Sequence, residues 1–307
     1  MNIQSLSIVV PTNNSCVNKC KFCVSRTHTN PYEDKISSFI KGYFNAENNN
    51  IHFNKKIKMD TSRDYKDYRN RLQYARDNGC NVVVLTGTGE PVQNKKFLDF
   101  FYDVNETLDT PFKSIEIQTT GVLLDEEYLL HLREIGITTI SFSISNIFDN
   151  DRNLELIDCA EKLKFNVFDI IKIVKKYGFN LRLSLNLVND YDQYRVREVI
   201  DKCEELGADQ VTFRKLYKSK LNNEIDEWIE NNASIDFYDR LTSYVKTNGL
   251  LLGQLPFGPK MYDIQDMSIV IDQDCMSEEI KDTYKYLILR ENAKLYTNWS
   301  KKSSLVF

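Results

Sequence analysis

The sequence predicts an α/β fold: a curved, largely parallel sheet wrapped by helices, followed by a small C-terminal α+β cap. Three observations carry this. Short β-type runs alternate with helical-period runs through most of the chain, as successive βα units do. The strands alternate apolar and polar residues, although a parallel strand covered on both faces reads as nearly continuous hydrophobics. After Gly249 the texture changes to short strands and turns. The length of 307 residues suits one wound domain of roughly 200–250 residues with an appendage.

The first strand, Ser5 to Val10, leads into a loop carrying Cys16, Cys20 and Cys23. The long connection from Val24 to Cys80, with its polar stretch Asn45 to Asn50, predicts a surface excursion. It ends in a helix striped by Tyr65, Tyr68, Leu72 and Ala75. The second strand is Asn81 to Thr86. The third, Ser114 to Thr119, sets Ile115 and Ile117 against Glu116 and Gln118, and a helix striped by Leu129, Leu132 and Ile135 follows. In the fourth, Thr138 to Ser145, Ile140, Phe142 and Ile144 face away from Ser141, Ser143 and Ser145. The next stripe is Val167, Ile170, Ile171 and Val174. The fifth strand, Asn180 to Val188, places Leu181, Leu183, Leu185 and Leu187 opposite Arg182, Ser184 and Asn186. A stripe of Val196, Val199, Ile200 and Cys203 precedes the sixth strand, Asp209 to Lys215, where Val211 and Phe213 oppose Gln210, Thr212 and Arg214. Gly136, Gly178 and Gly207 sit just past three stripes, where a positive φ closes a helix. Helices near Asn223 to Asn231 and Ser234 to Lys246 come next. The cap then offers strands at Leu250 to Gln254, Ser268 to Ile271, Tyr286 to Arg290 and Lys294 to Tyr296, with Glu291-Asn292 as a hairpin turn.

Crossover helices must cover the apolar face, so the polar face points into the lumen. An ordinary (β/α)₈ barrel fills that space with Val, Ile and Leu. Arg, Asn, Gln and Ser there imply water and a polar ligand. An antiparallel sheet with one solvated face gives the same alternation, and the intervening helices argue against it.

Composition narrows the function classes. Forty Lys and Arg against 44 Asp and Glu leave a formal charge of −4, and no basic tract is present, which disfavours nucleic acid. With 42% apolar residues the chain is not disordered or collagen-like. The first six residues lack the pattern of a signal peptide, and no apolar run approaches the ~18 residues of a membrane helix. Seven cysteines, an odd number, fit a reducing, cytoplasmic setting better than a disulfide scaffold.

Three thiols on one loop at the end of a first strand converge where α/β folds keep their sites, and they leave a fourth coordination position open. The trio also suits a closed zinc site with His28 as fourth ligand. Cys16-x₃-Cys20-x₂-Cys23, with the aromatic Phe22 before the last cysteine, resembles the motif of the radical S-adenosylmethionine (radical SAM) superfamily. Further stretches match. Thr86-Gly87-Thr88-Gly89-Glu90-Pro91 looks like that superfamily's Gly-Gly-Glu motif, and Thr119-Thr120-Gly121 ends the third strand where it often has Thr-Asn-Gly. Ser143, Arg182 and Asn186 fall where it places S-adenosylmethionine contacts.

The resemblance spans residues 5 to 217 and implies a partial (β/α)₆ TIM-like barrel over 1–217, with 218–307 an extension that closes the barrel or shapes the substrate site. It also implies a [4Fe-4S] cluster on Cys16, Cys20 and Cys23, with one iron free to chelate S-adenosylmethionine. Phe22, Thr88, Gly89, Glu90, Gln118, Thr120, Ser143, Arg182 and Asn186 would line that cofactor, and an electron donor such as flavodoxin or ferredoxin would reduce the cluster. Glu90 offers an acceptor to the methionine ammonium, and Arg182 a planar fork to its carboxylate. Arg182 equally suits neutralising Glu116 or Glu90. Glycines at 87 and 89 permit close backbone approach to the ligand or simply form a turn.

Two further residues are candidates near the substrate. Arg214 suits a phosphate or carboxylate of the substrate, or the cofactor. Cys275 is inert, a thiol hydrogen donor or a substrate contact. Cys203 belongs to the core, and Cys80 and Cys159 stand alone in the sequence.

The expected activity is radical chemistry on a small polar substrate such as a nucleotide, amino acid or sugar. The motif begins at Cys16 and no cysteine-rich segment follows residue 217, which leans away from common peptide-modifying architectures. Alternatives are peptide or RNA modification, activation of a glycyl-radical enzyme, and a non-catalytic zinc or iron-sulfur protein.

Overall fold

The computed structural model describes residues 2–12, 16–27, 63–219, 221–255, 259–272, 279–280 and 283–306. His28, the stretch Asn45 to Asn50 and Cys275 lie outside the described residues. The alternating runs form strands where the sequence places them: β1 (Asn2–Val9), β2 (Val82–Thr86), β3 (Ser114–Thr119), β4 (Thr139–Ile144), β5 (Asn180–Asn186) and β6 (Gln210–Arg214). They lie side by side in chain order, each parallel to the next.

Helices fill the connections: α1 (Val24–Thr27), α2 (Arg63–Asp77), α3 (Lys95–Asn105), α4 (Glu126–Glu134), α5 (Asn150–Leu156), α6 (Val167–Lys176) and α7 (Val196–Glu205). Carboxylate and amide side chains start several of them. Asn94 accepts from the Phe97 N–H, Asp125 from Tyr128 and Asp149 from Arg152, which satisfies first-turn donors. Gly136, Gly178 and Gly207 close three helices with φ of 81°, 70° and 75°.

The alternation resolves as expected. Leu181, Leu183, Leu185, Ile140, Phe142, Ile144, Val211 and Phe213 are almost wholly buried, in one core with Tyr68, Leu72, Leu129, Leu132, Val167 and Val174 of the helices. Helix α3, which the stripes did not flag, adds Phe97, Leu98, Phe100, Phe101 and Val104 to that core. The polar residues share the opposite face.

Beyond residue 217 come α8 (Glu224–Asn232) and α9 (Phe237–Asn248), then β7 (Leu250–Gln254), β8 (Lys260–Ile264), β9 (Met267–Asp272), β10 (Glu279–Ile280), β11 (Thr283–Leu289) and β12 (Leu295–Tyr296). These strands extend the sheet. β9 pairs parallel with β6, and β11 pairs parallel with β1, so the parallel order runs β11-β1-β2-β3-β4-β5-β6-β9. The antiparallel strands β8 and β7 continue outward from β9, and β10 and β12 pair antiparallel with β11. The sheet stays open between β10 and β7. β8 was not among the expected strands; its pairing with β7 and β9 makes it one. The hairpin at Glu291-Asn292 forms: Arg290 N donates to Lys294 O at 3.0 Å, and Ala293 takes the left-handed φ of 56°.

Candidate active site

Because β1 to β6 run parallel, their carboxyl ends gather the following loops on one side of the sheet. The loop after β1 carries Cys16, Cys20 and Cys23, and main-chain bonds anchor it. Lys19 N donates to Ile157 O (3.1 Å), Lys21 N to Leu156 O (3.0 Å) and Cys23 N to Cys20 O (3.3 Å), while Val17 N donates to Gln93 Oε1 (2.9 Å).

The thiols sense one another. Burial pushes the Cys20 thiol well up, and the neighbouring charges of Cys23, Cys16 and Glu90 add to the rise. Cys16 keeps an exposed flank, yet partial burial of its sulfur raises its pKa too, against N–H donors from Asn18 and Glu90. Among the described residues no three His, Cys, Asp or Glu side chains meet at metal-ligand distance, so the thiols are neighbours rather than a closed triad. Three soft thiols whose ionised forms repel one another favour a bound cation, which draws off their protons. This donor set fits an iron–sulfur cluster with one iron left open.

Glu90 follows β2 and is 3% exposed. Its Oε2 accepts from the Thr120 N–H (2.9 Å) and the Thr120 hydroxyl (2.8 Å), and its Oε1 from the Val92 N–H at 3.5 Å. Desolvation raises its pKa, and these bonds with one from Thr119 oppose the rise. The glycines before it serve close approach to protein. A Cβ on Gly87 falls 2.8 Å from Val10 O, and one on Gly89 falls 2.4 Å from Thr12 Oγ1. The space at both positions is taken by the chain after β1. Between them, Thr88 Oγ1 is buried without a partner among the described residues.

On the polar face Thr86 donates to Gln118 Oε1 (3.1 Å) and Gln118 Nε2 to Glu116 Oε1 (3.4 Å). Arg182 reaches Glu116 Oε2 through Nη1 at 2.8 Å, and Thr212 Oγ1 through Nε and Nη2 at 3.4 and 3.2 Å. One arm of its guanidinium is thus held by Glu116, one of the two carboxylates weighed for it, and the rest by Thr212. Asn186 Nδ2 donates to Ser143 Oγ (3.1 Å) and Ser145 Oγ (3.3 Å), so these three sit together. Arg214 lies beside Asn186 in register, with Nε buried and unpartnered among the described residues.

Two residues escaped the sequence reading. Asn18, inside the cysteine loop, is 4% exposed, and its Nδ2 donates to Thr120 Oγ1 at 2.8 Å. It also bridges Cys159, which is therefore close to the loop in space though alone in the sequence. Trp228 of α8 packs on Phe22 with ring centroids 5.9 Å apart, bringing the C-terminal extension against the cysteine loop. No periodicity or motif marks either position.

A family model described as the radical SAM superfamily matches residues 10–193, more than half of the chain. An uncharacterized protein of Methanocaldococcus jannaschii is 29% identical over 164 residues, which are 51% of each chain. Among solved structures, SuiB of Streptococcus suis bound to precursor peptide SuiA superposes with a TM-score of 0.56 at 16% identity, over 96% of this chain and 59% of SuiB. Native anSMEcpe with bound AdoMet gives a TM-score of 0.56 at 13% identity, over 97% of this chain and 75% of that one. The chain thus spans about half of the archaeal relative and under two thirds of SuiB.

Proposed function

The chain belongs to the radical SAM superfamily, and from that membership we propose that it is an enzyme that generates a 5′-deoxyadenosyl radical and uses it to abstract hydrogen from a small polar substrate. The family's cofactors are a [4Fe-4S] cluster and S-adenosylmethionine; the cluster supplies the electron that cleaves a carbon–sulfur bond of the latter. Cys16, Cys20 and Cys23 would hold the cluster, and Glu90 would accept from the methionine ammonium beside it. Phe22 would flank the cofactor, and Thr88, Gly89, Gln118, Thr120, Ser143 and Asn186 would line it with short polar groups. Arg182, already on Glu116, would keep that carboxylate neutralised and reach the cofactor carboxylate with its remaining N–H capacity. Arg214 would orient an anionic part of the substrate. Cys275 is kept as a substrate-side candidate, and residues 218–307 as the part that shapes the substrate site.

The observation that carries this reading is the cysteine loop tied to Glu90, through Asn18 and Thr120, at the carboxyl ends of β1 and β2. The polar face of β2 to β6 supports a small polar substrate. A second reading, modification of a peptide, draws on the likeness of fold to SuiB, which was solved with a precursor peptide. A flavodoxin or ferredoxin would supply the electron. The six described cysteines are all free, which supports a reducing, cytoplasmic setting. Among the described residues no helix is long and apolar enough to cross a membrane.

The test is anaerobic reconstitution with iron and sulfide, then dithionite and S-adenosylmethionine. The expected result is 5′-deoxyadenosine above a Cys20→Ala control; equal amounts from both proteins would sink the proposal. Faster release with nucleotides, amino acids or sugars than with peptides favours the first substrate reading, and the reverse order favours the second.

A further inference from the structure

We infer that Asn18 is a positioning residue that locks the cysteine loop to Glu90, acting through Thr120. This rests on the reading of the loop and Glu90 as the cluster and S-adenosylmethionine site. Asn18 stands between two of the cysteines, on a loop whose neighbouring residues Cys16, Lys19 and Lys21 are exposed, yet it is 4% exposed itself. Burying a primary amide is costly unless its donors and acceptor find partners.

The bonds run in one direction. Thr120 Oγ1 has a single hydrogen and gives it to Glu90 Oε2 at 2.8 Å. The hydroxyl is then free only to accept from Asn18, which fixes the amide with Nδ2 toward Thr120 at 2.8 Å. Amide, hydroxyl and carboxylate form a relay that aims the Glu90 oxygen. One residue of the cysteine loop, set between Cys16 and Cys20, thus reaches the carboxylate through Thr120. Its Oδ1, buried and unpartnered among the described residues, is a further acceptor beside the loop. Without the amide Thr120 still donates to Glu90 but loses its tie to the cysteine loop, and the spacing between loop and carboxylate slackens.

The test uses the anaerobically reconstituted full chain with Asn18→Ala, Thr120→Val and the double variant. Alanine removes the amide and leaves a side chain that loop geometry tolerates. Iron and sulfide content, the Kd for S-adenosylmethionine by equilibrium dialysis, and the electron paramagnetic resonance spectrum of the reduced cluster with and without S-adenosylmethionine are measured. Asn18→Ala is expected to keep its cluster, bind S-adenosylmethionine about tenfold more weakly, and show a diminished spectral response to it. The double variant should bind no more weakly than Thr120→Val alone, because both changes cut the same relay.

Wild-type affinity and spectra in Asn18→Ala would overturn the inference, as would penalties that multiply in the double variant. So would loss of the cluster from Asn18→Ala with its retention in Thr120→Val, which assigns Asn18 to the loop alone. A wild-type chain that takes up no cluster removes the parent reading and this inference together; a wild type that binds S-adenosylmethionine beside an equally competent Asn18→Ala removes only this one.

Discussion

Glu90 brings a carboxylate into a space that is 3% exposed and meets it with N–H and O–H donors from Thr120 and the following turn. Replacing it by glutamine keeps an acceptor for Thr120 and removes the buried charge. Glu90→Gln is therefore expected to melt within about 2 °C of the parent chain or higher, while losing at least tenfold in S-adenosylmethionine affinity; thermal melts and equilibrium dialysis read the two effects separately. The glycines give a sharper contrast. Gly89→Ala puts a methyl 2.4 Å from Thr12 Oγ1 and is expected to cost about 1–3 kcal/mol, whereas Gly253 has open space around its Cβ direction and its alanine variant should be near neutral. Paired denaturant melts decide it. The cysteines, Glu90 and the glycines were legible in the sequence because their spacing is local. Asn18 was not, because its meaning comes from a contact with Thr120, 102 positions away. The partner of Arg182 was legible only as a choice between Glu116 and Glu90, since strand alternation gives the face of a side chain but not its rotamer.

Among the elements, the loops after β4 and β5 are tied together by one ion pair. Arg152 of α5 holds Asp190 through Nε (2.8 Å) and Nη2 (3.1 Å), and Asn146 Nδ2 donates to the same carboxylate at 3.1 Å. The Arg152 guanidinium, with help from Asn146, holds the Asp190 carboxyl below its usual range against the pull of desolvation. A folded value below the unfolded one means that the contribution is present above the ordinary carboxylate pKa of about 3.9, and is lost as pH falls through the folded value. Asp190→Asn is expected to cost about 1–2 kcal/mol at pH 7 and nothing at the acid end, so its pH–stability curve should be flatter than that of the parent. Urea melts from pH 7 to pH 2.5 test the sign as well as the size. Strands and capping glycines were readable because periods of 2 and 3.6 and a positive φ are properties of short segments. Helix α3 went unremarked despite five buried apolar side chains, as did β8 despite its pairing with β7 and β9, so each shows where pairing and packing outrank local pattern.

At the scale of the molecule, residues 218–307 were expected as a cap. Their strands β9 and β11 flank the parallel sheet at opposite edges, against β6 and β1. A boundary at residue 217 is thus proposed as a limit of resemblance rather than of folding. A fragment ending there exposes the edges of β1 and β6 together with the apolar surface that Ile269, Leu287 and Leu289 cover. It is expected to aggregate on expression, while the whole chain elutes as a discrete species in size-exclusion chromatography; a well-behaved fragment would count against the flanking role. The pairing of β1 with β11 joins Asn2 to Thr283 and Ile8 to Leu289. Such sequence separation is a problem of time as well as of geometry. On a ribosome adding about 5–20 residues per second, β1 emerges early and waits on the order of ten seconds to a minute for its outer neighbour to be made. Until then the outer edge of a strand that ends in the cysteine loop is uncovered, and it is open to mispairing with other strands.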